Sequence, residues 1–306
     1  MVPGPLTPAA ATVAAGEVQA ALLAWFADDP AARRDLPWRR TRDPWSILVS
    51  EVMLQQTQVA RVVPVFVRFL DRFPTPAACA AAAAGDVVRA WSGLGYNRRA
   101  VNLHHTETIV MKRHGGRLPT ALADLVALPG VGPYTARAVL AFSAEADVGV
   151  LDTNAARVLA RVVAGRPLAR DEAQRLADAL VPRERSWAWN SAVLDLGATV
   201  CTATAPRCPA CPVERWCVWA SAGGPGSGPD PAEGSVGTGG RQAAFGGSDR
   251  QGRGRLVATL RRGPLPVDDA PAAAGWPGQL ERTARVVAAL VADGLATTSE
   301  GLLSLP

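Results

Sequence analysis

Apolar residues recur at spacings of three and four over most of residues 17–180. That spacing is typical of helices that each bury one face. No segment before residue 220 alternates apolar and polar residues as a half-buried strand does. The pattern therefore predicts a mainly α protein. The expected helical stretches are 17–28, 44–70, 86–92, 99–113, 120–127, 133–144, 155–164 and 171–180.

The two ends of the chain differ from this helical part. Residues 1–16 are rich in Pro, Ala and Gly, and we expect them to be disordered; residues 17–220 then form the main domain. Residues 221–240 have the Gly, Pro and Ser content of a flexible linker. Residues 241–306 predict a small module with helices near 251–262 and 278–293 and a hairpin near residue 300. That order suggests a winged-helix-like fold.

The excess positive charge is confined to the helical part of the chain. The formal net charge is +5, and residues 1–220 carry all of it, with 24 basic against 19 acidic residues. Such a surface allows a polyanionic partner. No apolar run is long enough to span a bilayer, so we expect no membrane partner. The first residues lack the pattern of a signal peptide, which predicts a cytoplasmic protein with reduced thiols.

Four of the five cysteines stand within 17 residues, at Cys201, Cys208, Cys211 and Cys217, in the spacing C-x6-C-x2-C-x5-C. Only Cys79 lies elsewhere. Four thiolates without a histidine are typical of an iron–sulfur cluster or a zinc ion. Zinc ribbons usually have two CxxC pairs, and this array has one. The spacing by itself leaves both metals open.

A glycine-rich turn, LPGVG at 128–132, separates two of the expected helices. Gly130 and Gly132 permit backbone angles that other residues avoid, and Pro133 suits the first turn of the next helix. Free backbone N–H groups at such a helix start bind phosphate, and a phosphate contact does not depend on base sequence. An ordinary interhelical turn is the alternative.

One carboxyl group interrupts an apolar helix face. On a helix, Ile47, Glu51, Leu54 and Gln58 lie on the same side. Desolvation there would raise the pKa of the Glu51 carboxyl, which suits a general acid. The alternative is a glutamate at the edge of the stripe, paired with an arginine.

A second carboxyl group follows the apolar run that ends at residue 151, in the sequence Asp152-Thr153-Asn154. It would serve as a helix cap, or as a carboxylate that stays ionised beside N–H donors and faces a developing positive charge. One protonated and one ionised carboxyl group are the pair that cleaves a glycosidic bond. In DNA the base must first leave the helical stack.

Together these motifs resemble the adenine DNA glycosylases of the MutY type, in the helix-hairpin-helix superfamily that also contains endonuclease III. The likeness covers about residues 17–219. It rests on LPWR at 36–39, SEVMLQQTQV at 50–59, GLGY at 93–96, LPGVG at 128–132, VLDTN at 150–154, DLGA at 195–198 and the cysteine array. The resemblance implies a helix-hairpin-helix glycosylase fold and a [4Fe–4S] cluster on the cysteine loop 201–217.

The resemblance also implies residue roles. Glu51 would protonate N7 of the flipped adenine, Asp152 would stabilise the sugar cation, and Asn154 would hydrogen-bond within the site. Tyr134 takes the hairpin position that helps to place the catalytic groups. The expected adenine-pocket residues are Arg34, Leu36, Trp38, Arg39 and Leu54. The expected DNA-binding residues are Gln55 and Tyr96, which intercalate beside 8-oxoguanine, and Gly130 and Gly132 of the hairpin.

The implied partner is double-stranded DNA with adenine opposite 8-oxoguanine or guanine, bound by a monomer on the bacterial nucleoid. Two features depart from the family pattern. Ser191 stands where the family has Gln or Glu against adenine, and the tail after residue 220 shows no sign of a β-rich domain that checks for 8-oxoguanine.

Two other functions compete with this interpretation. One is a glycosylase/lyase of the endonuclease III type acting on damaged pyrimidines, and the other is a catalytically silent iron–sulfur DNA-binding protein. The lyase reaction needs an amine, but Tyr134 occupies the hairpin position and the only lysine in the chain is Lys112. Glu51 and Asp152 argue against a silent protein.

Overall fold

The computed structural model describes residues 8–236 and 244–306. The chain divides into two compact units. Unit 1 comprises Met1–Arg42 and Ala136–Gly240, and unit 2 comprises Asp43–Thr135 and Arg241–Pro306. The expected main domain, 17–220, thus contributes to both units. The expected C-terminal module belongs to the same unit as residues 43–135.

Helices make up most of the described chain. In chain order they are α1 (Pro8–Asp28), α2 (Pro44–Leu54), α3 (Val59–Arg72), α4 (Pro76–Ala81), α5 (Ala84–Ala90), α6 (Arg98–Arg113), α7 (Leu122–Val126), α8 (Pro133–Ala144), α9 (Thr153–Val158), α10 (Arg170–Ala179), α11 (Ser186–Thr199), α12 (Val218–Ser221), α13 (Asp249–Leu260), α14 (Ala270–Ala274) and α15 (Leu280–Ala292). The strands are β1 (Leu265–Pro266), β2 (Thr297–Ser299) and β3 (Leu302–Ser304).

The mainly α prediction is confirmed, and in the described residues every strand lies in the tail. The expected helix 133–144 has the bounds of α8. Of the expected helix 155–164, the second half, Leu159–Ala164, is a π-helical turn. Within 8–236 and 244–306, no helix combines the length and the apolar character needed to cross a membrane.

Two expected boundaries were wrong. Helix α1 begins at Pro8, so residues 8–16, expected to be disordered, are helical, while residues 1–7 lie outside the described residues. The expected helix 44–70 is two helices, because the helical conformation is interrupted between Leu54 and Val59. At the break, Gln56 has a φ of 54°, a left-handed angle at which an α-helix cannot continue.

The core of unit 1 forms where α1 packs against α11. Leu22 and Phe26 of α1 bury their side chains in one apolar cluster with Trp189 and Leu196 of α11. Two of the cysteines, at 201 and 217, lie buried in this same cluster. The cysteine loop is therefore part of the core rather than an appendage to it.

The core of unit 2 centres on aromatic side chains. Phe69 packs against Phe73 and meets Trp91 edge to face, with ring centroids 5.0 and 5.8 Å apart. The buried indole N–H of Trp45 donates to the Phe73 carbonyl at 3.0 Å. These contacts join α2, α3 and α5 and hold α2 in place.

The C-terminal module has the element order α–β–α–α–β–β, with a three-stranded antiparallel sheet in the order β1-β3-β2. The two expected helices and the expected hairpin are present, and the hairpin turns at Glu300 and Gly301, both with positive φ; strand β1 and helix α14 were not expected from the sequence. Within unit 2 the module docks on α5. The Gly85 N–H donates to the Pro306 carbonyl at 2.7 Å, and Arg261 Nε donates to the Val88 carbonyl at 3.0 Å.

Candidate active site and cysteine loop

The expected site residues fall into the two units. Unit 2 contains the glutamate helix, the hairpin and the expected intercalating residues: Glu51, Leu54, Gln55, Tyr96, Gly130, Gly132 and Tyr134. Unit 1 contains the second carboxyl group, most of the expected adenine pocket and the cysteines: Arg34, Leu36, Trp38, Arg39, Asp152, Asn154, Cys201, Cys208, Cys211 and Cys217. Each group has its own geometry.

Glu51 lies in the middle of α2 and is 4% exposed. The helix begins at Pro44, where the Asp43 carboxylate caps it by accepting a hydrogen bond from Ser46 N–H at 2.8 Å. The expected apolar surroundings of Glu51 are confirmed. Gln58, expected on the same helix face, lies beyond the end of α2 and precedes α3.

The end of α2 is held by the guanidinium group of Arg99. Its Nη1 donates to the carbonyls of Val52, Met53 and Gln55 at 2.7–2.8 Å. These are the last carbonyls of the helix, which have no partner inside it. Arg99 is only 8% exposed, and burial lowers its pKa to about 10, so it remains charged at neutral pH. A buried cation thus fixes where the helix of Glu51 stops.

Gln55 and Tyr96 lie at the same end of α2. The Gln55 amide donates to the Gly130 carbonyl and to Thr135 Oγ1, both at 3.3 Å, so it supports the hairpin. Tyr96 is 43% exposed and has a φ of 45°. A non-glycine residue with positive φ often marks a functional constraint. The expected intercalating role of both residues stays a prediction.

The hairpin between α7 and α8 needs one glycine for its backbone. Gly130 has a φ of 76°, and a Cβ there would lie 2.9 Å from the Asn102 side chain. Gly132 has no positive φ and open space around its Cα, so the expectation that it needs a special backbone angle was wrong. The open space leaves room for a ligand to approach the backbone at Gly132 closely. Thr106 Oγ1 steadies the turn by donating to the Pro129 carbonyl at 2.8 Å.

Asp152 caps α9 and is connected to the cysteine loop. Its carboxylate accepts hydrogen bonds from Ala155 N–H at 2.7 Å and from Asn154 Nδ2 at 2.9 Å. Arg157 Nη2 donates to Asn154 Oδ1 at 2.8 Å, and Arg157 Nε donates to the Cys201 carbonyl at 2.7 Å. One chain of hydrogen bonds therefore runs from the carboxyl group to the first cysteine.

The pKa of the Asp152 carboxyl is shifted upward from its ordinary value. Burial raises the pKa of its carboxyl, and this effect outweighs the hydrogen bonds from Ala155 and Asn154 and the charge of Arg157, which lower it. The expectation that Asp152 stays ionised beside N–H donors remains a prediction. Each of these hydrogen-bond donors offsets part of the free-energy cost of burying the charged carboxylate.

The expected pocket segment at 34–39 is fixed by a buried aspartate. Asp195 is fully buried in α11 and accepts hydrogen bonds from Arg34 Nε at 2.5 Å and from Arg39 Nη2 at 2.9 Å. Leu36 and Trp38 between them are each 7% exposed. Both guanidinium groups are therefore hydrogen-bonded to Asp195. A direct contact between either guanidinium group and adenine is less favourable than expected, because it would have to replace these bonds.

Ser191, the position that departs from the family pattern, lies one turn before Asp195 on α11. Its side chain is fully buried, and in 8–236 and 244–306 no hydrogen-bond partner reaches its Oγ. A buried hydroxyl group without a partner is costly. The Ser191 hydroxyl is thus a buried polar group that a hydrogen-bond partner would stabilise.

The four cysteines of the array line one small cavity. Cys201 and Cys217 are buried, and Cys208 and Cys211 are half-buried. Among the described residues, no three His, Cys, Asp or Glu side chains converge closely enough to hold a metal ion. Four cysteine side chains around one cavity are a ligand set that an iron–sulfur cluster or a zinc ion uses.

A buried arginine braces this cavity. Arg161 is 1% exposed, and its Nη1 donates to Cys201 Sγ at 3.5 Å and to the Thr202 carbonyl at 2.7 Å. Its Nε and Nη2 donate to both carboxylate oxygens of Asp230, at 2.8 and 2.5 Å. Trp219 stacks beneath the guanidinium, 4.6 Å away. The segment expected to be a flexible linker therefore supplies a charged partner to the cysteine loop.

Sequence reasoning missed four residues that position the site: Arg99, Arg157, Arg161 and Asp230. The arginines carried a usable signal, because Arg99 lies on the same helix face as Leu103 and Val110, and Arg161 lies in the apolar run 158–163. A charge inside an apolar face indicates a buried pair. Asp230 had no such signal, because its neighbours have the composition of a linker.

Comparison with known proteins agrees with this geometry. Residues 49–183 match the HhH-GPD superfamily of base excision DNA repair proteins. The adenine DNA glycosylase of Mycobacterium tuberculosis is 45% identical over 93% of this chain and 92% of its own, and that of Mycolicibacterium smegmatis is 41% identical over 93% and 94%. A solved thermostable thymine-DNA glycosylase has a TM-score of 0.62 and 26% identity, covering 67% of this chain and 96% of its own.

We expect Asp230→Asn to lower the free energy of unfolding by about 2 kcal/mol, because the buried Arg161 charge would lose its counter-charge. Asp171→Asn, at an exposed position on α10, is the matched control and should change it by less than about 0.5 kcal/mol. The measurement is equilibrium unfolding by denaturant. Equal stability of Asp230→Asn and the parent would mean that the Arg161–Asp230 ion pair does not stabilise the fold.

Proposed function

The chain belongs to the adenine DNA glycosylases, within the HhH-GPD superfamily of base excision DNA repair proteins, and we propose that it excises adenine paired with 8-oxoguanine or guanine. It is thus a DNA glycosylase of base excision repair. The observation that supports the chemistry best is the local setting of its two carboxyl groups. Glu51 is buried in an apolar helix, and Asp152 is held at a helix start by N–H donors.

These settings assign different tasks to the two carboxyl groups. Glu51 would act as the general acid that donates a proton to the departing adenine. Asp152, when ionised, stabilises the positive charge that develops on the sugar as the bond to adenine lengthens. Asn154 holds the Asp152 oxygen through its Nδ2. Water then attacks C1′ of the sugar cation and leaves an abasic strand.

The residues that the sequence assigned to the adenine pocket are retained in the proposal, but the proposed roles of the two arginines change. Arg34 and Arg39 hold the 34–39 segment in place through Asp195, and Leu36 and Trp38 give it apolar surface. Leu54, also expected from the sequence to contact adenine, is the last residue of α2, and its role stays a prediction. The Ser191 hydroxyl would donate to a nitrogen of adenine in place of the longer side chain of the family.

A [4Fe–4S] cluster is the proposed cofactor, held by Cys201, Cys208, Cys211 and Cys217. The cavity that these side chains line is the support for it. Four cysteine thiolates are the ligand set that such a cluster requires, and these four side chains would hold it. Bound to all four, it would clamp the 201–217 loop and add its binding free energy to folding.

Duplex DNA would bind through the hairpin and the α2 end. Gly130 and Gly132 would bring backbone N–H groups close to a phosphate, and Gln55 and Tyr96 would enter the stack beside the extruded base. Tyr134, at the start of α8, would help to place the catalytic groups. We propose that the protein acts as a monomer on DNA in the bacterial cytoplasm.

The first test measures adenine release from duplexes that contain 8-oxoguanine:adenine. Glu51→Gln should abolish release while duplex affinity stays within about threefold of the parent, because the amide is a poor proton donor of the same shape. Glu281→Gln, at an exposed position on α15, is the control and should release adenine normally. Release by Glu51→Gln at the parental rate would make Glu51 a structural residue only.

The second test follows the excision rate from pH 4 to 8. Because burial raises the pKa of Asp152 and the ionised form is needed, the rate should fall on the acid side at a pH above the ordinary aspartate value of 3.8. Asn154→Ala removes a hydrogen bond that lowers this pKa, so the acid limb should move up by about one pH unit. An unmoved limb would show that Asn154 does not stabilise the Asp152 carboxylate.

The third test separates hydrolysis from lyase chemistry. Lys112 is exposed in the last turn of α6, and Tyr134 occupies the hairpin position, so no Schiff base should form. Borohydride should trap no covalent complex, and the abasic strand should stay intact until heated in alkali. Efficient trapping that Lys112→Ala abolishes would contradict the hydrolytic mechanism.

The fourth test concerns the cofactor. Protein purified without oxygen should contain about four irons per chain and absorb broadly near about 400 nm. Cys211→Ser should lose most of the iron, whereas Cys79→Ser, in unit 2, should retain it. One zinc per chain without iron would refute the cluster.

A further inference from the structure

The segment 148–150, which leads into Asp152, is held by side chains of two helices. It contains four consecutive backbone polar groups: the Val148 carbonyl, the Gly149 N–H and carbonyl, and the Val150 N–H. Each of the four is hydrogen-bonded to a side chain from α10 or α11. Asp152 follows two residues later as the cap of α9, so the course of this segment sets the direction from which Asp152 enters the helix start.

On α11, one side-chain amide bonds two of these groups. Asn190 Nδ2 donates to the Val148 carbonyl at 3.0 Å, and Asn190 Oδ1 accepts a hydrogen bond from the Val150 N–H at 2.8 Å. The amide is itself fixed, because Nδ2 also donates to the Ser186 carbonyl at 2.9 Å and Asn190 is only 3% exposed. Asn190 therefore bonds the segment much as the backbone of a neighbouring β-strand would.

On α10, two side chains bond the glycine of the segment. The Gly149 N–H donates to Asp178 Oδ1 at 2.8 Å, and Gln174 Nε2 donates to the Gly149 carbonyl at 3.0 Å. The same Asp178 oxygen accepts hydrogen bonds from Gln174 Nε2 at 3.2 Å and from Arg137 Nη1 at 2.5 Å. A Cβ at position 149 would lie 2.4 Å from the Ala177 backbone, so only glycine allows α10 to approach this closely.

Helix α11 also contacts the chain just after Asp152. A Cβ at Gly197 would lie 2.7 Å from the Asn154 Cβ, so the backbone of α11 packs directly against the start of α9. Asn190 and Gly197 are about two turns apart on α11, and Asp152 lies in sequence between the two places that they contact. One helix therefore fixes the chain before and after the proposed catalytic carboxylate.

The same helix carries residues of the proposed adenine pocket. Ser191 directly follows Asn190, and Asp195 holds the segment 34–39. A shift of Asp152 relative to α11 would therefore also be a shift relative to the proposed adenine contacts. Such a shift matters, because misplacing a catalytic group by about 1 Å can lower a rate roughly a hundredfold.

We propose that Asn190, Asp178 and Gln174 are positioning residues for adenine excision, which fix the segment 148–150 and thereby the place of the Asp152 carboxylate against the sugar. The proposal rests on the proposed function. All three side chains act through Asp152 and do not touch the substrate. Asn190 has the largest effect, because it is buried and makes two of the four hydrogen bonds, whereas Asp178 and Gln174 are half-buried.

The test measures single-turnover release of adenine from 8-oxoguanine:adenine duplexes, with each rate normalised to the active fraction of the protein. Asn190→Leu closely matches the shape of asparagine but removes both hydrogen bonds to the segment. It should lower the rate by about 30-fold and leave duplex affinity within about threefold, because the proposed DNA contacts lie in the hairpin and at the end of α2. Val193→Ala removes buried packing from α11 without touching the segment, so it controls for lost stability and should keep the parental rate.

The pH dependence of the rate separates misplacement of the carboxylate from loss of folded protein. Burial raises the pKa of the Asp152 carboxyl, and the hydrogen bonds from Ala155 and Asn154 offset part of that rise. If Asn190→Leu moves the carboxylate away from these donors, its pKa rises further, and the acid limb should move to higher pH. Fewer folded molecules would scale the rate equally at every pH and leave the limb in place, as expected for Val193→Ala.

A second pair of variants decides the question if Asn190→Leu does not fold. Asp178→Ala removes the acceptor for the Gly149 N–H and should lower the rate by about fivefold, the equivalent of one hydrogen bond. Asp178→Asn keeps an oxygen acceptor there, so its rate should lie within about twofold of the parent. Arg175→Ala, at an exposed position on the same helix, is the control and should keep the parental rate.

The outcomes distinguish this proposal from the proposed function. If the unaltered protein releases no adenine, the proposed function fails, and the positioning role fails with it. If the unaltered protein releases adenine and a folded Asn190→Leu matches its rate with an unmoved acid limb, only the positioning role is overturned. Where Asn190→Leu does not fold, equal rates of Asp178→Ala and Asp178→Asn would overturn it instead.

Discussion

The guanidinium group of Arg157 is the interaction on which the arrangement of unit 1 depends most. It donates to the Asn154 side chain, to the Gly197 carbonyl of α11 and to the Cys201 carbonyl. Two segments that are distant in sequence, 154–157 and 197–201, thereby meet at one planar cation. A shift of the cysteine loop would therefore move Asn154, and through it the Asp152 carboxylate. The geometry couples the integrity of the proposed cluster to the proposed catalytic carboxylate.

In unit 2, the guanidinium group of Arg99 has a comparable structural role at the end of α2. Helix α2 must stop after Leu54, so that Gln55 can turn towards the hairpin, and its last carbonyls must be satisfied without water. Arg99 meets both needs with one side chain. A lysine would not replace it, because an ammonium group has fewer donors and loses its charge more readily when buried. The near absence of lysine from this chain agrees with the structural use of its arginines.

A buried charge also explains why the segment that was expected to be a linker packs against Arg161. Arg161 sits beside Cys201 with almost no exposure, and a buried cation without a partner is strongly unfavourable. Asp230 supplies the partner. Ser235 Oγ donates to the Pro231 carbonyl at 2.7 Å and accepts a hydrogen bond from the Leu168 N–H at 3.1 Å. The segment 230–236 is thus held by polar contacts, although its composition is typical of flexible chain.

Residue patterns alone determined the helical class, the bounds of α8, the two longer helices and the hairpin of the C-terminal module, and the grouping of four cysteines on one loop. All of these depend on local periodicity or on spacing, which the order of residues records directly. Tertiary structure decided the break after Leu54, the pKa of Asp152, the commitment of Arg34 and Arg39 to Asp195, and the docking of the module beside Tyr96. Each of these depends on groups that are far apart in sequence and meet only when burial makes an unpaired charge or carbonyl too costly.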